Sequence, residues 1–365
     1  MNFKISSPTL LLDKQKVLNN IQKMLLKVEK NGLKFRPHFK THQSVQIGRW
    51  FDRTQLDGIT VSSLKMAEFF SKDGWQSITV AFPMNILEID RVNNLASSID
   101  LRTLIVDVNT VNKLDAKLTT VVGVYIEIDP GYGRSGIHFD DKTSIESLKE
   151  AIQSSKKLEL HGFYCHAGHS YQSRSIEEIR ALAKPIIEQL SNLKVAFDLP
   201  VCFGDTPSCS VLEDFGEIEE LSPGNFVFYD WIQTQIGSCT PDQIAVAMAC
   251  PVVAKYESRN ELLIHGGAVH FSKDFDLHQG SSHYFGQVAE NNGGIWGDPM
   301  KDCYLKSISQ EHGIIKCTDE FFQHTKISDS VIILPIHSCL TADLMGQYFT
   351  TDGVTIDHLS EKMIK

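Results

Sequence analysis

In Arg36-Pro37-His38-Phe39-Lys40-Thr41-His42 one lysine stands between two histidines, at the expected carboxyl end of a short strand. A lysine amine is a useful nucleophile only where its surroundings lower its pKa, and neighbouring imidazoles and an arginine supply such surroundings. Lys40 is therefore a candidate to condense with an aldehyde cofactor such as pyridoxal phosphate; the competing reading is a basic strand end facing water. A second chemical pair is His337 and Cys339, two residues apart after the apolar run Leu334-Pro335-Ile336. In an extended chain both side chains would face one side and could share an ion. Thiolate plus imidazole favours zinc among the divalent metals, and two protein ligands leave positions for water or a substrate oxygen. Alone, such a pair is more often a structural feature.

Three further loops carry polar groups at strand ends. Glu127-Ile128-Asp129-Pro130-Gly131-Tyr132-Gly133-Arg134-Ser135-Gly136 packs three glycines around one arginine, which lets backbone and guanidinium approach a flat anionic ligand. A glycine turn with a surface arginine is the alternative. The stretch His161 to Tyr171 places His166, His169 and Tyr171 just after an apolar run. Phosphate binding needs amides or hydroxyls at a loop or helix start. Phe203-Gly204-Asp205-Thr206-Pro207-Ser208 offers the hydroxyls of Thr206 and Ser208. Ser222-Pro223-Gly224-Asn225 offers the amides of Gly224 and Asn225, with Tyr229 as a further hydroxyl. These residue types also dominate ordinary turns.

The elements that must position these groups alternate between short apolar runs and helical patterns. Runs at 9–12, 58–62, 77–82, 101–107, 121–129, 158–164 and 196–203 read as strands, with helices at 14–29, 64–71 and 175–193. Such alternation predicts a parallel sheet with right-handed crossovers, either a closed (β/α)8 barrel or an open doubly wound sheet. No GxGxxG opens a helix after the first strand, which disfavours a dinucleotide site. Beyond about residue 230 the runs at 244–253, 261–266 and 331–334 predict a β-rich second domain. The segment 271–298 reads as a long loop or hairpin insertion. A length of 365 residues accommodates two domains.

A net charge of −10 and a pI near 5.8 argue against a nucleic-acid surface and for a small-molecule substrate. No window approaches the roughly 18 apolar residues of a membrane span, so a cytoplasmic protein without a membrane partner is expected. Eight scattered cysteines without a CxxC pair predict reduced thiols.

Taken in order, Pro37-His38-Phe39-Lys40-Thr41-His42 and His337-Ser338-Cys339 resemble the lysine and metal motifs of the D-threonine aldolase and D-serine dehydratase family of alanine-racemase-like pyridoxal phosphate enzymes. The resemblance implies a TIM-like α/β barrel over 12–232. It implies a β-rich domain over 233–365, joined by 1–11, that carries the metal site. It makes Lys40 the cofactor lysine, with Arg134 at the ring's phenolic oxygen, His166 against the pyridine and Tyr171 lining the pocket. Thr206, Gly224, Asn225 and Tyr229 fall in the family's phosphate loops, and His337 and Cys339 would hold a divalent metal, zinc by preference. Aldolases of the family tend to carry Asp where Cys339 stands, which tilts the expected reaction to elimination of water from a D-β-hydroxy amino acid. D-Threonine-type aldol cleavage is the alternative. Racemisation lacks an assignable second base, and a non-catalytic cofactor carrier would have no use for the extra domain. A homodimer is implied as well. The chain departs from the family at His265, where an acidic residue is expected, and in the following His270, His278 and His283. These histidines could line a substrate mouth, bind a second metal or decorate a loop. Gln310-Glu311-His312-Gly313 resembles another family segment, without an assignable role.

Overall fold

The computed structural model describes residues 5–278 and 282–359. The chain divides into two compact units, one of Lys23–Lys40 with Phe51–Gly224 and one of Met1–Gln22 with Thr41–Trp50 and Asn225–Lys365.

In the first unit eight parallel strands pair in the order Lys34–Phe35, Glu220–Leu221, Val201–Gly204, Leu158–His166, Val122–Asp129, Asp100–Ile105, Ser77–Pro83 and Ile59–Val61. The ring closes where His38 forms a parallel bridge to Thr60. Thr60 N–H donates to Pro37 O at 3.0 Å, and Phe39 N–H donates to Thr60 O at 2.8 Å. The central strands are apolar and buried almost throughout, as strands covered on both faces must be. The helices between them bury one stripe, Ile145, Leu148 and Ile152 on Lys142–Ser154 for example. Side chains accepting from the first free N–H groups fix several helix starts, among them Ser63, Asp107, Asp141, Ser175 and Asp205. This is the closed α/β barrel.

Its interior holds one buried charged network. Arg36, 1% exposed, donates to Glu220 at 2.9 Å, to the Asp57 carbonyl at 2.6 Å and to Ser77 at 3.0 Å, and Tyr125 donates to Glu220 at 3.3 Å. Gly58 (φ +135°) lies against the guanidinium, where an added Cβ would fall 2.1 Å from Arg36 Nη1. Removing one partner of a buried pair leaves the other uncompensated, so Glu220→Ala is expected to destabilise the fold by about 3–5 kcal/mol, read as a lowered urea midpoint.

In the second unit six antiparallel strands close into a smaller barrel. Val246–Tyr256 pairs with both Glu261–His265 and Ser330–Pro335, and His312–Lys316, Trp296–Ile308 and Gly286–Asn291 complete the circuit. Thr9–Leu12 joins here, antiparallel to Val246–Tyr256 and parallel to Tyr348–Thr350. That corrects the placement of 9–12 at the head of the parallel series. Leu10, Leu11 and Leu12 are all buried, and a continuous apolar run has no periodicity to tell one sheet from another. The parallel barrel starts instead with the two-residue strand Lys34–Phe35.

Two other boundaries move. The helix Ile176–Phe197 runs through the start of the expected strand at 196–203 and ends on Asp198 in the left-handed region (φ 52°), so the strand is Val201–Gly204. Within 271–298 the chain forms the hairpin Asp276–His278 with Ser282–Tyr284, then the strand Gly286–Asn291. Among the described residues no helix is long and apolar enough to cross a membrane. The eight cysteines are free thiols.

Candidate active site

Lys40 is placed by its neighbour. Phe39 is fully buried, with its ring centroid 5.1 Å from those of Phe51, Phe70 and Trp75, and so anchors the segment that closes the barrel. Lys40 N–H donates to His38 Nδ1 at 3.3 Å, and His38 N–H donates to the Pro223 carbonyl at 2.9 Å. His166, at the end of Leu158–His166, bonds the Gly204 carbonyl through Nδ1 at 2.6 Å. A carbonyl only accepts, so His166 carries its proton on Nδ1 and keeps the Nε2 lone pair. Burial, then the charges of Lys40 and Arg134, hold the His166 pKa down at about 3, and burial with the Lys40, His166 and Arg134 charges lowers His38 well below its usual value. Both imidazoles are neutral at physiological pH. The barrel unit thus gathers Lys40, His38, His166 and Arg134 into one field.

The loop after Val122–Asp129 is organised by Asp129, whose Oδ1 accepts from the N–H groups of Gly131, Tyr132 and Gly133 at 2.8–3.1 Å. Gly136 (φ +98°) allows the return, since a Cβ there would lie 2.9 Å from Asp129 N and Glu127 O. Arg134, half exposed, reaches Glu127 at 3.8 Å, and Ser135 donates to the same carboxylate at 2.6 Å. Burial raises the Glu127 pKa above the usual carboxylate range.

At the first phosphate-type loop Asp205 caps the helix Thr206–Val211, accepting from Ser208 N–H at 2.7 Å and Ser170 Oγ at 2.8 Å. Burial lifts its pKa to about 6. Tyr171 Oη accepts weakly from Thr206 N–H at 3.4 Å, and its ring centroid lies 6.5 Å from that of His166. Thr206 Oγ1 is buried without a hydrogen-bond partner. A buried hydroxyl left open is costly, and a phosphate oxygen would satisfy it. Lysine, proton-fixed imidazole, arginine and open hydroxyl together fit pyridoxal phosphate.

The second unit carries the metal-type pair. His337 and Cys339 do not sit in an extended run as expected. His337 (φ −132°, ψ 102°) is the last extended residue, and Cys339 lies in the first turn of the helix Ser338–Met345. The turn, not a two-residue strand period, brings the side chains together. His337 Nδ1 bonds Asp274 Oδ2 at 2.7 Å, which leaves Nε2 for an ion. Burial alone would lower the His337 pKa, but hydrogen bonds from Asp274 and Cys339 outweigh it and raise it well above the usual value. Burial would raise the Cys339 thiol, and the bond to His337 instead lowers it. Each partner thus favours the charged form of the other, and once an ion displaces the shared protons the imidazole nitrogen and thiolate sulfur are a donor set that fits a borderline-soft divalent metal.

Three further groups hold this pair, Asn225 among them through its side chain rather than its amide. Thr41 Oγ1 lies 3.4 Å from Cys339 Sγ, Asn225 Nδ2 lies 3.4 Å from the same sulfur, and Asp230 accepts from Asn225 at 2.8 Å and from Ser338 N–H at 3.0 Å. The Asn225 side chain is thereby committed to the thiol network, leaving its backbone amide for an anion. Tyr229, buried, takes the left-handed region (φ 47°), a strained conformation for an aromatic residue. Asp274 is 63 residues from His337 in the chain, and only the compositional oddity of 271–298 hinted at it. Of the remaining histidines, His283 stacks on Phe275 at 3.8 Å, His265 and His270 approach Glu311, and the His278 side chain lies outside the described residues.

A parallel α/β barrel carrying a lysine beyond its first strand, in one chain with an antiparallel barrel, is the alanine-racemase-like fold, which implies pyridoxal phosphate. The chain belongs to that family: the model described as "Alanine racemase, N-terminal domain" matches residues 12–228, and "Putative serine dehydratase domain" matches 245–351. It is 31% identical to a D-serine dehydratase of Dictyostelium discoideum, over 94% of this chain and 93% of that one. It is 26% identical to a D-threo-3-hydroxyaspartate dehydratase of Delftia sp. strain HT23, over 94% and 93%. The structure of a D-threo-3-hydroxyaspartate dehydratase cysteine-to-alanine mutant in the metal-free form superposes with a TM-score of 0.89 at 25% identity, covering 97% of each chain. A D-threonine aldolase from Filomicrobium marinum shares the fold, with a TM-score of 0.81 at 17% identity over 98% of each chain.

Proposed function

We propose that this chain is a pyridoxal-phosphate- and zinc-dependent lyase that removes water from a D-β-hydroxy amino acid of the D-serine or 3-hydroxyaspartate type, releasing a 2-oxo acid and ammonia. The observation that carries elimination is the Asp274-backed His337–Cys339 pair. The metal-free dehydratase mutant replaces a cysteine, and a sister structure replaces a histidine two positions earlier, the spacing of His337 and Cys339.

Bound at Lys40, pyridoxal phosphate would supply an electron sink for the pair left at Cα. An ion held by His337 Nε2 and Cys339 Sγ would supply the positive charge that lets a β-hydroxyl leave. The chain's own groups do the rest. Lys40 Nζ would take the Cα proton as general base. His166 would meet the cofactor ring as a neutral imidazole, because its Nδ1 proton is spent on Gly204. Arg134 would answer the ring's phenolic oxygen, and Tyr171 would line the pocket. The Thr206 hydroxyl, the Gly224 and Asn225 amides and the Tyr229 hydroxyl would hold the phosphate. The family resemblance supports a homodimer in the cytoplasm.

The test is purified protein given D-serine with and without a chelator, assayed for pyruvate and ammonia. Chelator-sensitive pyruvate supports the reading. Glycine and an aldehyde from D-threonine, without pyruvate from D-serine, would replace it with aldol cleavage.

Asp274→Asn keeps the size of the side chain and removes the carboxylate that fixes the His337 tautomer. Partners of this kind are worth about 10–100-fold in metal affinity. That loss is expected in zinc competition against a chromophoric chelator, with bound cofactor unchanged.

A further inference from the structure

Away from the His337–Cys339 pair, three metal-ligating side chains converge in the same unit. His265 ends the strand Glu261–His265, His270 lies in the short helix Ala268–Phe271, and Glu311 precedes the strand His312–Lys316. One ligand atom of each lies within 4.8 Å of the other two. His265 Nε2 is 3.5 Å and His270 Nε2 is 3.7 Å from Glu311 Oε2, and the two rings stand at 86° to one another with centroids 5.6 Å apart. These distances exceed normal hydrogen bonds. They approach instead the edge of about 3.4 Å that separates ligands arranged tetrahedrally at about 2.1 Å from a zinc ion.

The three donors are held in place by backbone. Gly266 N–H donates to Glu311 O at 2.9 Å, Ala268 N–H to Ser309 O at 2.8 Å and Val269 N–H to Gln310 O at 3.2 Å, while His265 pairs with His312 in the sheet. Gly267 makes this approach possible, since a Cβ there would fall 2.3 Å from Ser309 O and 2.6 Å from Gln310 O. The side chains of His265 and Glu311 are 42% and 48% exposed, so an ion can enter from water and water can complete its shell. The His270 side chain, 16% exposed, forms the floor.

We infer that His265, His270 and Glu311 form a second divalent-cation site, of the zinc class, distinct from the His337–Cys339 pair. Two imidazoles and one carboxylate suit zinc and its transition-metal neighbours better than magnesium or calcium, which prefer all-oxygen shells. Binding has one local cost. His270 Nδ1 accepts from Gly267 N–H at 3.1 Å, and ligation through Nε2 moves the ring proton to Nδ1 and breaks that bond. The site is therefore weaker than a closed four-ligand zinc site.

The test counts metal on the full-length, cofactor-loaded protein. Wild type, His265→Ala, Glu311→Gln, Cys339→Ala and the double variant His265→Ala/Cys339→Ala are dialysed to equilibrium against a fixed free zinc concentration, and zinc per chain is measured by mass spectrometry. Two ions per chain are expected in the wild type, with the count halved in each single variant and lost in the double. Glu311→Gln preserves size at an exposed position and guards against a folding artefact in His265→Ala. A wild type with no ion, or a wild-type count that neither His265→Ala nor Glu311→Gln lowers, overturns the inference. A single ion that is lost in those two variants and kept in Cys339→Ala supports this site and overturns the His337–Cys339 reading instead.

Discussion

Lys40→Ala is expected to abolish turnover, with a loss of about a hundred- to ten-thousandfold from removal of the general base alone and more from loss of the covalent tether. Phe39, which anchors the segment, is untouched by this change, and its contacts with Phe51, Phe70 and Trp75 remain. The barrel should therefore fold, and an unchanged circular dichroism spectrum would separate chemistry from collapse. Two readouts should move together. The visible band of lysine-bound cofactor should disappear, and pyruvate formation from D-serine should fall to background. Undiminished turnover in this variant would exclude Lys40 as the catalytic base and with it the proposed mechanism.

Cys339→Ala is the second large effect. It removes a ligand without touching Lys40, His166 or Arg134, so the cofactor band should survive while elimination falls. Lewis-acid help to a leaving hydroxyl is worth several kcal/mol, a loss on the order of a hundred- to a thousandfold. Loss of band and activity together would mark Cys339 as structural. The same pair sets a pH dependence. In the metal-free pair His337 holds a proton that an ion must expel, and its pKa is raised. Zinc affinity should therefore climb with pH until the solution passes that raised pKa and then level off. Titrating the apoprotein with zinc at several pH values checks the sign, and an affinity that falls as pH rises would contradict it.

The chemistry of this chain is more legible in its sequence than the scaffolding beneath it. Lys40 and the His337–Cys339 pair stand out because their residue types are unusual at short spacing, and short spacing survives folding. The spacing alone suggests an extended chain, whereas a helix begins at Ser338. Asp274 lies in a stretch whose composition stands out, but nothing local ties its carboxylate to a histidine 63 residues later. Asn225 shows the same limit in another form: the loop was recognised as an anion loop by its amides, but its side chain serves the Cys339 sulfur. Among the elements, Thr9–Leu12 misled because three leucines in a row satisfy a buried strand in either sheet. Lys34–Phe35 escaped because two residues carry no period. The amphipathic helices Lys14–Lys30 and Leu64–Ser71, with room for several turns or a clear cap, fell where their patterns placed them.

The bridge between His38 and Thr60 has a consequence for the empty and loaded protein. Seven of the barrel's eight seams are ladders between strands, while this one rests on a single bridge and the few backbone bonds around it. A barrel opens first where fewest bonds must break together. The residue that follows Phe39 at that seam is the proposed anchor of the cofactor. A ligand tethered to Lys40 and held by groups on other strands would tie down the join that closes the ring, so cofactor occupancy and resistance to proteolysis would rise together.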